Sequence, residues 1–196
     1  MAIQISSAIF LHIPKTGGTW VTNYFRETGM DHGNKELALQ AHINGLALKE
    51  IIPHTEDLVF CFVRHPLTWY RSYWEMRKIV ADRKAGFLDT VVDLPFQEYI
   101  RRIIQDDPGH LTQRFKDYTD RCRFIGKQEN LREDLDTLLK YLRFPYNRKY
   151  LFKKDRENVL PSNQKYTYEL ASAIMKAEKG IIEKYNYNYI PIEVLE

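Results

Sequence analysis

Two short stretches of the chain are nearly unbroken in apolar character, Ala8-Ile9-Phe10-Leu11-His12-Ile13 and Leu58-Val59-Phe60-Cys61-Phe62-Val63, and Arg123-Phe124-Ile125-Gly126 reads as a short third strand. Runs this short, apolar on both alternating faces, predict strands covered on both sides, as in a parallel sheet. Between and after them the apolar spacing changes to three and four. Trp20-Val21 and Tyr24-Phe25 start one amphipathic helix, and Trp69, Tyr73, Met76 and Val80 mark another from about Leu67 to Lys84, with Pro66 in its first turn. Pro95 opens a third, with Phe96, Tyr99, Ile100, Ile103 and Ile104 inward and Arg101 and Arg102 outward, closed by Asp106-Asp107-Pro108-Gly109. Leu131, Leu135, Leu138, Leu139 and Leu142 predict a fourth, for which Asn130 and Glu133 form an Asn-initiated analogue of a capping box. The last, about Thr167 to Tyr185, buries Leu170, Ile174, Ala177, Ile181 and Tyr185.

Weaker patterns fill the gap between the first two units. Leu37 to Ile43 reads as a strand or a helix, Asn44-Gly45 favouring the strand, and Leu46 to Ile52 as a short helix stopped by Pro53. Alternation of buried strands and amphipathic helices predicts an α/β fold, three layers deep, with a central parallel sheet flanked by helices and ligands gathered at the strand C-termini. At 196 residues, 44% apolar and 13% aromatic, the chain suits one domain over 1–196 with a sizeable core. No repeat or domain boundary is visible.

A net charge of +3 is modest and makes no case for nucleic acid, although a basic balance suits a polyanionic small molecule. No apolar run approaches the roughly 20 residues that cross a bilayer, and the start lacks the features of a secretory signal. These imply a soluble, cytoplasmic protein without a membrane partner; a lumenal domain trimmed of its targeting segment is the alternative. Cys61 and Cys122 have no metal or redox spacing and read as buried free thiols. Residues 143–166 are irregular and basic, a solvated loop or a lid for an anionic nucleotide.

Chemistry enters where the first strand meets its helix, at Pro14-Lys15-Thr16-Gly17-Gly18-Thr19-Trp20. A strand, a Gly-Gly turn and a helix start leave unpaired amides at the positive end of a helix dipole, with a lysine beside them, which suits phosphate or sulfate. The plain alternative is an ordinary glycine turn with Lys15 solvated. The Walker order GxxxxGK[ST] is not met, because the lysine precedes the glycines and the first glycine is missing. At the end of the second clear strand, Arg64-His65-Pro66 leads into a helix carrying Ser72, eight residues after Arg64. A guanidinium fork and a hydroxyl together suit a phosphate group.

The order PKTGGTW resembles the 5′-phosphosulfate loop of sulfotransferases that use 3′-phosphoadenosine 5′-phosphosulfate (PAPS), and Arg64 with Ser72 resembles their 3′-phosphate motif. Phe124-Ile125-Gly126-Lys127-Gln128-Glu129-Asn130-Leu131 is similar to the strand and helix that follow in small carbohydrate-type members. Trp69 and the pair Lys127-Gln128 depart from residues frequent in that family. The resemblance implies a P-loop-like fold and transfer of a sulfuryl group to a hydroxyl of a sugar or small metabolite, releasing 3′-phosphoadenosine 5′-phosphate. It implies that Gly17, Gly18 and Thr19 amides, with the Thr16 and Thr19 hydroxyls, hold the 5′-phosphosulfate. Arg64 and Ser72 would hold the 3′-phosphate, and Lys15 would stabilise the leaving phosphate. Trp20 occupies the adenine-stacking position or else the core. His42 is the expected base, as a residue between the two motifs, with a cap or core histidine as its alternative and Glu36 or Glu50 as substitutes. No metal ligand set is visible. A kinase of related fold and a non-catalytic nucleotide-binding protein are the competing readings.

Overall fold

The computed structural model describes residues 2–31, 56–79, 86–155 and 162–196. The expected strand at Leu37–Ile43, the helix at Leu46–Ile52 and the candidates His42, Glu36 and Glu50 lie outside these residues. In chain order the described elements are β1 (Ala2–Ile5), β2 (Ala8–Leu11), α1 (Gly18–Glu27), β3 (Leu58–Val63), α2 (Pro66–Ile79), α3 (Phe87–Thr90), α4 (Phe96–Asp106), α5 (His110–Thr119), β4 (Phe124–Lys127), α6 (Leu131–Tyr141), α7 (Arg148–Lys153), α8 (Tyr168–Ala177) and α9 (Lys179–Lys184). Contacts divide the chain into two compact units, residues 1–64 with 115–159 and residues 65–114 with 160–196.

The first unit holds the sheet, in the order β1-β2-β3-β4. β2, β3 and β4 are parallel, with Phe10 opposite Phe60 and Phe60 opposite Phe124. β1 instead runs antiparallel to β2, with Ile5 opposite Ala8 across the Ser6-Ser7 turn. The sheet is therefore mixed, which corrects the wholly parallel one expected. Ser6 takes the left-handed φ of 46° that such a turn needs, a position where glycine or asparagine is the usual signal, so the hairpin had no sequence marker. β2 also stops at Leu11, two residues before the end of the apolar run.

One face of this sheet, with Ile3, Ile5, Ala8, Phe10, Phe60 and Phe62, packs against Trp20, Val21, Tyr24 and Phe25 of α1, Leu135, Leu138 and Leu139 of α6, and Leu151 of α7. The helical spacing read from the sequence is thus the spacing of this core. Asn130 precedes α6, but its side chain makes no capping bond, so the expected capping box is absent. The basic segment after α6 is not wholly irregular. Asn147 accepts from the Tyr150 N–H at 3.0 Å and starts α7, which docks on α1 through Tyr150 stacked on Tyr24. Cys61 is buried in β3, whereas Cys122 is only half-buried; both are free.

The second unit is helical. α4 buries Phe96, Tyr99, Ile100 and Ile103 as its spacing predicts. The long final helix is instead broken at Glu178 into α8 and α9. The cause lies in α5, an element with no sequence signal of its own. The fully buried Glu178 carboxylate accepts from the Leu111 and Thr112 N–H groups, the Thr112 hydroxyl and the Tyr70 hydroxyl. A carboxylate at a helix start satisfies orphan amides and the positive dipole end together, but this one comes from 66 residues away, so no local motif announces it. No described helix is long and apolar enough to cross a membrane.

Candidate functional site

Because β2, β3 and β4 are parallel, their C-terminal ends share one edge of the sheet, the edge at which open α/β sheets place ligands. From β2 the chain passes through Pro14-Lys15-Thr16 into α1, and the backbone there is unusual. Lys15 sits at φ 67° and Gly17, the N-cap, at φ 85°. Glycine adopts that conformation freely, and Gly17 needs it on a second ground, since a Cβ there would lie 2.9 Å from Leu131 Cδ2. For a lysine the left-handed region costs on the order of 1–3 kcal/mol and persists only where the surroundings enforce it.

Gly18 is required by contact instead. A Cβ on it would stand 1.9 Å from Cδ2 of the His12 ring, so the imidazole lies directly against the first residue of α1. His12, expected inside a strand, in fact follows β2 and stacks on Phe10.

α1 begins with no side-chain cap and no acidic residue in its first turn. Its first ladder bond runs from the Val21 N–H to the Gly17 carbonyl, so the preceding amides are the orphan donors of a helix start. Around these donors the charge is positive. Arg64, directly after β3, donates from Nη1 to the Lys15 carbonyl at 3.1 Å, which ties the end of the second parallel strand to the loop. Burial, and then the nearby Arg64 guanidinium, lower the Lys15 pKa from 10.5 to about 8. A half-buried ammonium beside a guanidinium and a positive helix end is an arrangement that an anion relieves.

The other expected residues divide. Thr19 is half-buried in the first turn of α1. Thr16 is fully buried, and its hydroxyl donates to the Ile13 carbonyl at 2.9 Å, so its proton holds the loop rather than pointing to a ligand. Trp20 is 4% exposed; its ring stacks on Tyr24 at 5.9 Å and its Nε1 donates to the Asp155 carbonyl, which places it in the core, the second of its two readings. Ser72 is half-buried on α2, in the second unit. His65, beside Arg64, is buried: Nδ1 accepts from the Leu67 N–H and Nε2 faces the Tyr189 carbonyl at 2.8 Å, so the tautomer with the proton on Nε2 satisfies both nitrogens.

The spacing missed two residues at the loop. His12 had a signal only in hindsight, as a polar residue at the end of an apolar run. Gln128, at the end of β4, lies with Cγ 3.5 Å from where a Gly17 Cβ would be, a contact between residues more than a hundred positions apart. A broad surface hollow of about 840 Å³ sits at the other end of α1, against Glu27, Tyr146 and Tyr150, and contains none of these residues. No protein-family model matches the chain, and no curated protein matches it.

Proposed function

We propose that the chain is a PAPS-dependent sulfotransferase that moves a sulfuryl group onto a hydroxyl of a sugar or small metabolite. The observation that carries this reading is the meeting of Lys15 and Arg64 in the loop that leads into the uncapped start of α1, at the C-terminal edge of the parallel strands. PAPS supplies an activated sulfuryl group: its sulfur–oxygen bond to the 5′-phosphate breaks as the acceptor oxygen bonds to sulfur, and the acceptor proton passes to a base. The residues of this chain do the rest. The Gly17–Thr19 loop amides hold the 5′-phosphosulfate, and the Lys15 ammonium meets the negative charge that grows on the leaving phosphate, an interaction stronger in the transition state than before it. Arg64 and Ser72 keep the proposed role of 3′-phosphate donors, and His42 that of base. Those assignments rest on the family resemblance; the P-loop-like, three-layer fold, the single domain over 1–196 and a cytoplasmic location are part of the same proposal.

The test is calorimetric titration of the purified protein with 3′-phosphoadenosine 5′-phosphate, with adenosine 5′-phosphate and ATP as controls and no added metal. Binding that depends on the 3′-phosphate is expected. Preference for ATP with magnesium would put the kinase reading first, and no binding of any of the three would refute both. Where the nucleotide binds, radiolabelled PAPS with a panel of hydroxyl acceptors separates an enzyme from a non-catalytic binding protein.

A further inference from the structure

Two of the three parallel strand ends bring a cation to the loop. The third, β4, ends in Lys127 and is followed at once by Gln128 in a 3₁₀ turn, Gln128–Asn130, that leads into α6. With its Cγ 3.5 Å from the Cβ position of Gly17, the Gln128 side chain runs alongside the loop, and its carboxamide nitrogen lies two bonds farther out. The turn that presents it is rigidly held. The Lys127 N–H donates to Asp134 Oδ2 at 2.6 Å, and Gly126 leaves room for the Phe62 ring, which would stand 2.4 Å from a Cβ there. Gln128 is half-buried, and among the described residues its carboxamide makes no hydrogen bond.

Its NH₂ group offers two donors to an oxyanion. It lies beside a helix start that has no side-chain cap and no acidic residue in its first turn. From this placement we infer that the Gln128 carboxamide donates to a non-bridging oxygen of the sulfuryl or phosphoryl group held at the loop, as a third directed contact besides the loop amides and Lys15. The inference rests on the loop being an anion site, as proposed above. It adds a binding residue where the chain departs from the family pattern, and it gives that departure a role: a neutral donor grips the group without adding a third positive charge to a loop that already lowers the Lys15 pKa.

The experiment compares wild type, Gln128→Met and Gln128→Glu by calorimetric titration with 3′-phosphoadenosine 5′-phosphate and with inorganic pyrophosphate, after thermal unfolding has shown that each variant is folded. Methionine keeps the volume and removes the donors, and the loss of a hydrogen bond to a charged group is expected to weaken binding about tenfold or more. Glutamate keeps the shape and sets a carboxylate against the anion, with an expected loss on the order of a hundredfold. Both variants binding within twofold of wild type would make Gln128 a spacer and overturn the inference while leaving the anion site intact. A glutamate variant that binds as well as wild type would overturn it too. If the wild-type protein binds neither ligand, the anion reading of the loop itself fails, and the role of Gln128 falls with it.

Discussion

Replacing Gly18 with alanine probes the contact on which the loop geometry depends. The added methyl would sit 1.9 Å from Cδ2, 2.4 Å from Nε2 and 2.5 Å from Cγ of His12. Carbon atoms rest in contact at about 3.5–4.0 Å, so either the ring withdraws or the helix start lifts, by roughly 1.5 Å. Neither group is free to move. The imidazole follows β2 directly and stacks on Phe10 at an interplanar angle of 13°, and Phe10 is fully buried against Phe60 and Phe62. Overpacking of this kind costs about 1–3 kcal/mol. The sign is informative, because Gly18 has an ordinary negative φ. At an unobstructed helical position with such a φ, the same substitution stabilises by up to about 1 kcal/mol through the helix preference of alanine. With a net cost near 2 kcal/mol, a chain of this size should melt about 4–8 °C lower. Affinity for 3′-phosphoadenosine 5′-phosphate should fall as well, since the amides that move are those proposed to hold it. The double variant His12→Ala, Gly18→Ala removes the obstacle and should recover part of the loss, with a coupling of about 0.5–3 kcal/mol in a double-mutant cycle. A Gly18→Ala protein that melts at or above wild type would refute the argument.

Four further expectations follow from the same contacts. Lys15→Ala should lower turnover far more than nucleotide affinity and Arg64→Ala the reverse, measured as kcat against Kd; the opposite pattern would exchange their roles. With the Lys15 pKa lowered from 10.5 to about 8, the folded chain releases above pH 8 a proton that the unfolded chain keeps to 10.5. Stability should therefore gain from Lys15 as pH rises through that window, while anion affinity, which needs the ammonium, declines above pH 8. Lys15→Met should abolish both trends in denaturant unfolding and titration. Thr16→Val should cost about 1 kcal/mol of stability by removing the bond to Ile13 while leaving nucleotide affinity within a few-fold, whereas a hydroxyl that contacts the ligand would cost tenfold or more. Glu178→Gln turns one of two fully engaged acceptor oxygens into a donor facing buried donors, and should destabilise by about 2–4 kcal/mol in chemical denaturation; an unchanged midpoint would show that the carboxylate does not hold the start of α5.

What could be read from the sequence is what the chain encodes locally. The β3 run, the α4 stripe from Phe96 to Ile103 and the leucines of α6 each announce themselves within one element, and each is where expected. The order of strand, glycine loop and helix around Lys15, Gly17 and Gly18 was legible for the same reason, because these pieces are consecutive. Errors arose wherever a distant residue decides a local structure. Glu178 breaks one helix in order to start another, and β1 pairs through a serine turn that propensity does not mark. Asn130 had the right residue in the right place, yet α6 starts without its side chain, because a 3₁₀ turn already leads the backbone into the helix.

The same distinction explains why the two glycines of the loop are not equivalent. Both look from the sequence like backbone freedom. In the structure Gly17 carries the left-handed φ, whereas Gly18 gives up its side chain to the imidazole of a residue on the preceding strand end. Gly17 in turn rests against Gln128, just after the third parallel strand, and Leu131, the first residue of α6. The loop is thus clamped on one side by the end of β2 through His12, on another by Gln128 after β4 and Leu131 of α6, and is tied to the end of β3 by Arg64. A loop held by three strand ends keeps its amides in place before an anion arrives, which is the condition under which fixed donors contribute most to stabilising developing charge. On this account, substitutions that loosen the clamp without touching the ligand, His12→Ala foremost, should reduce turnover more than they reduce ground-state affinity, in a kcat against Kd comparison with wild type. Equal losses in both would mean that the clamp serves binding alone.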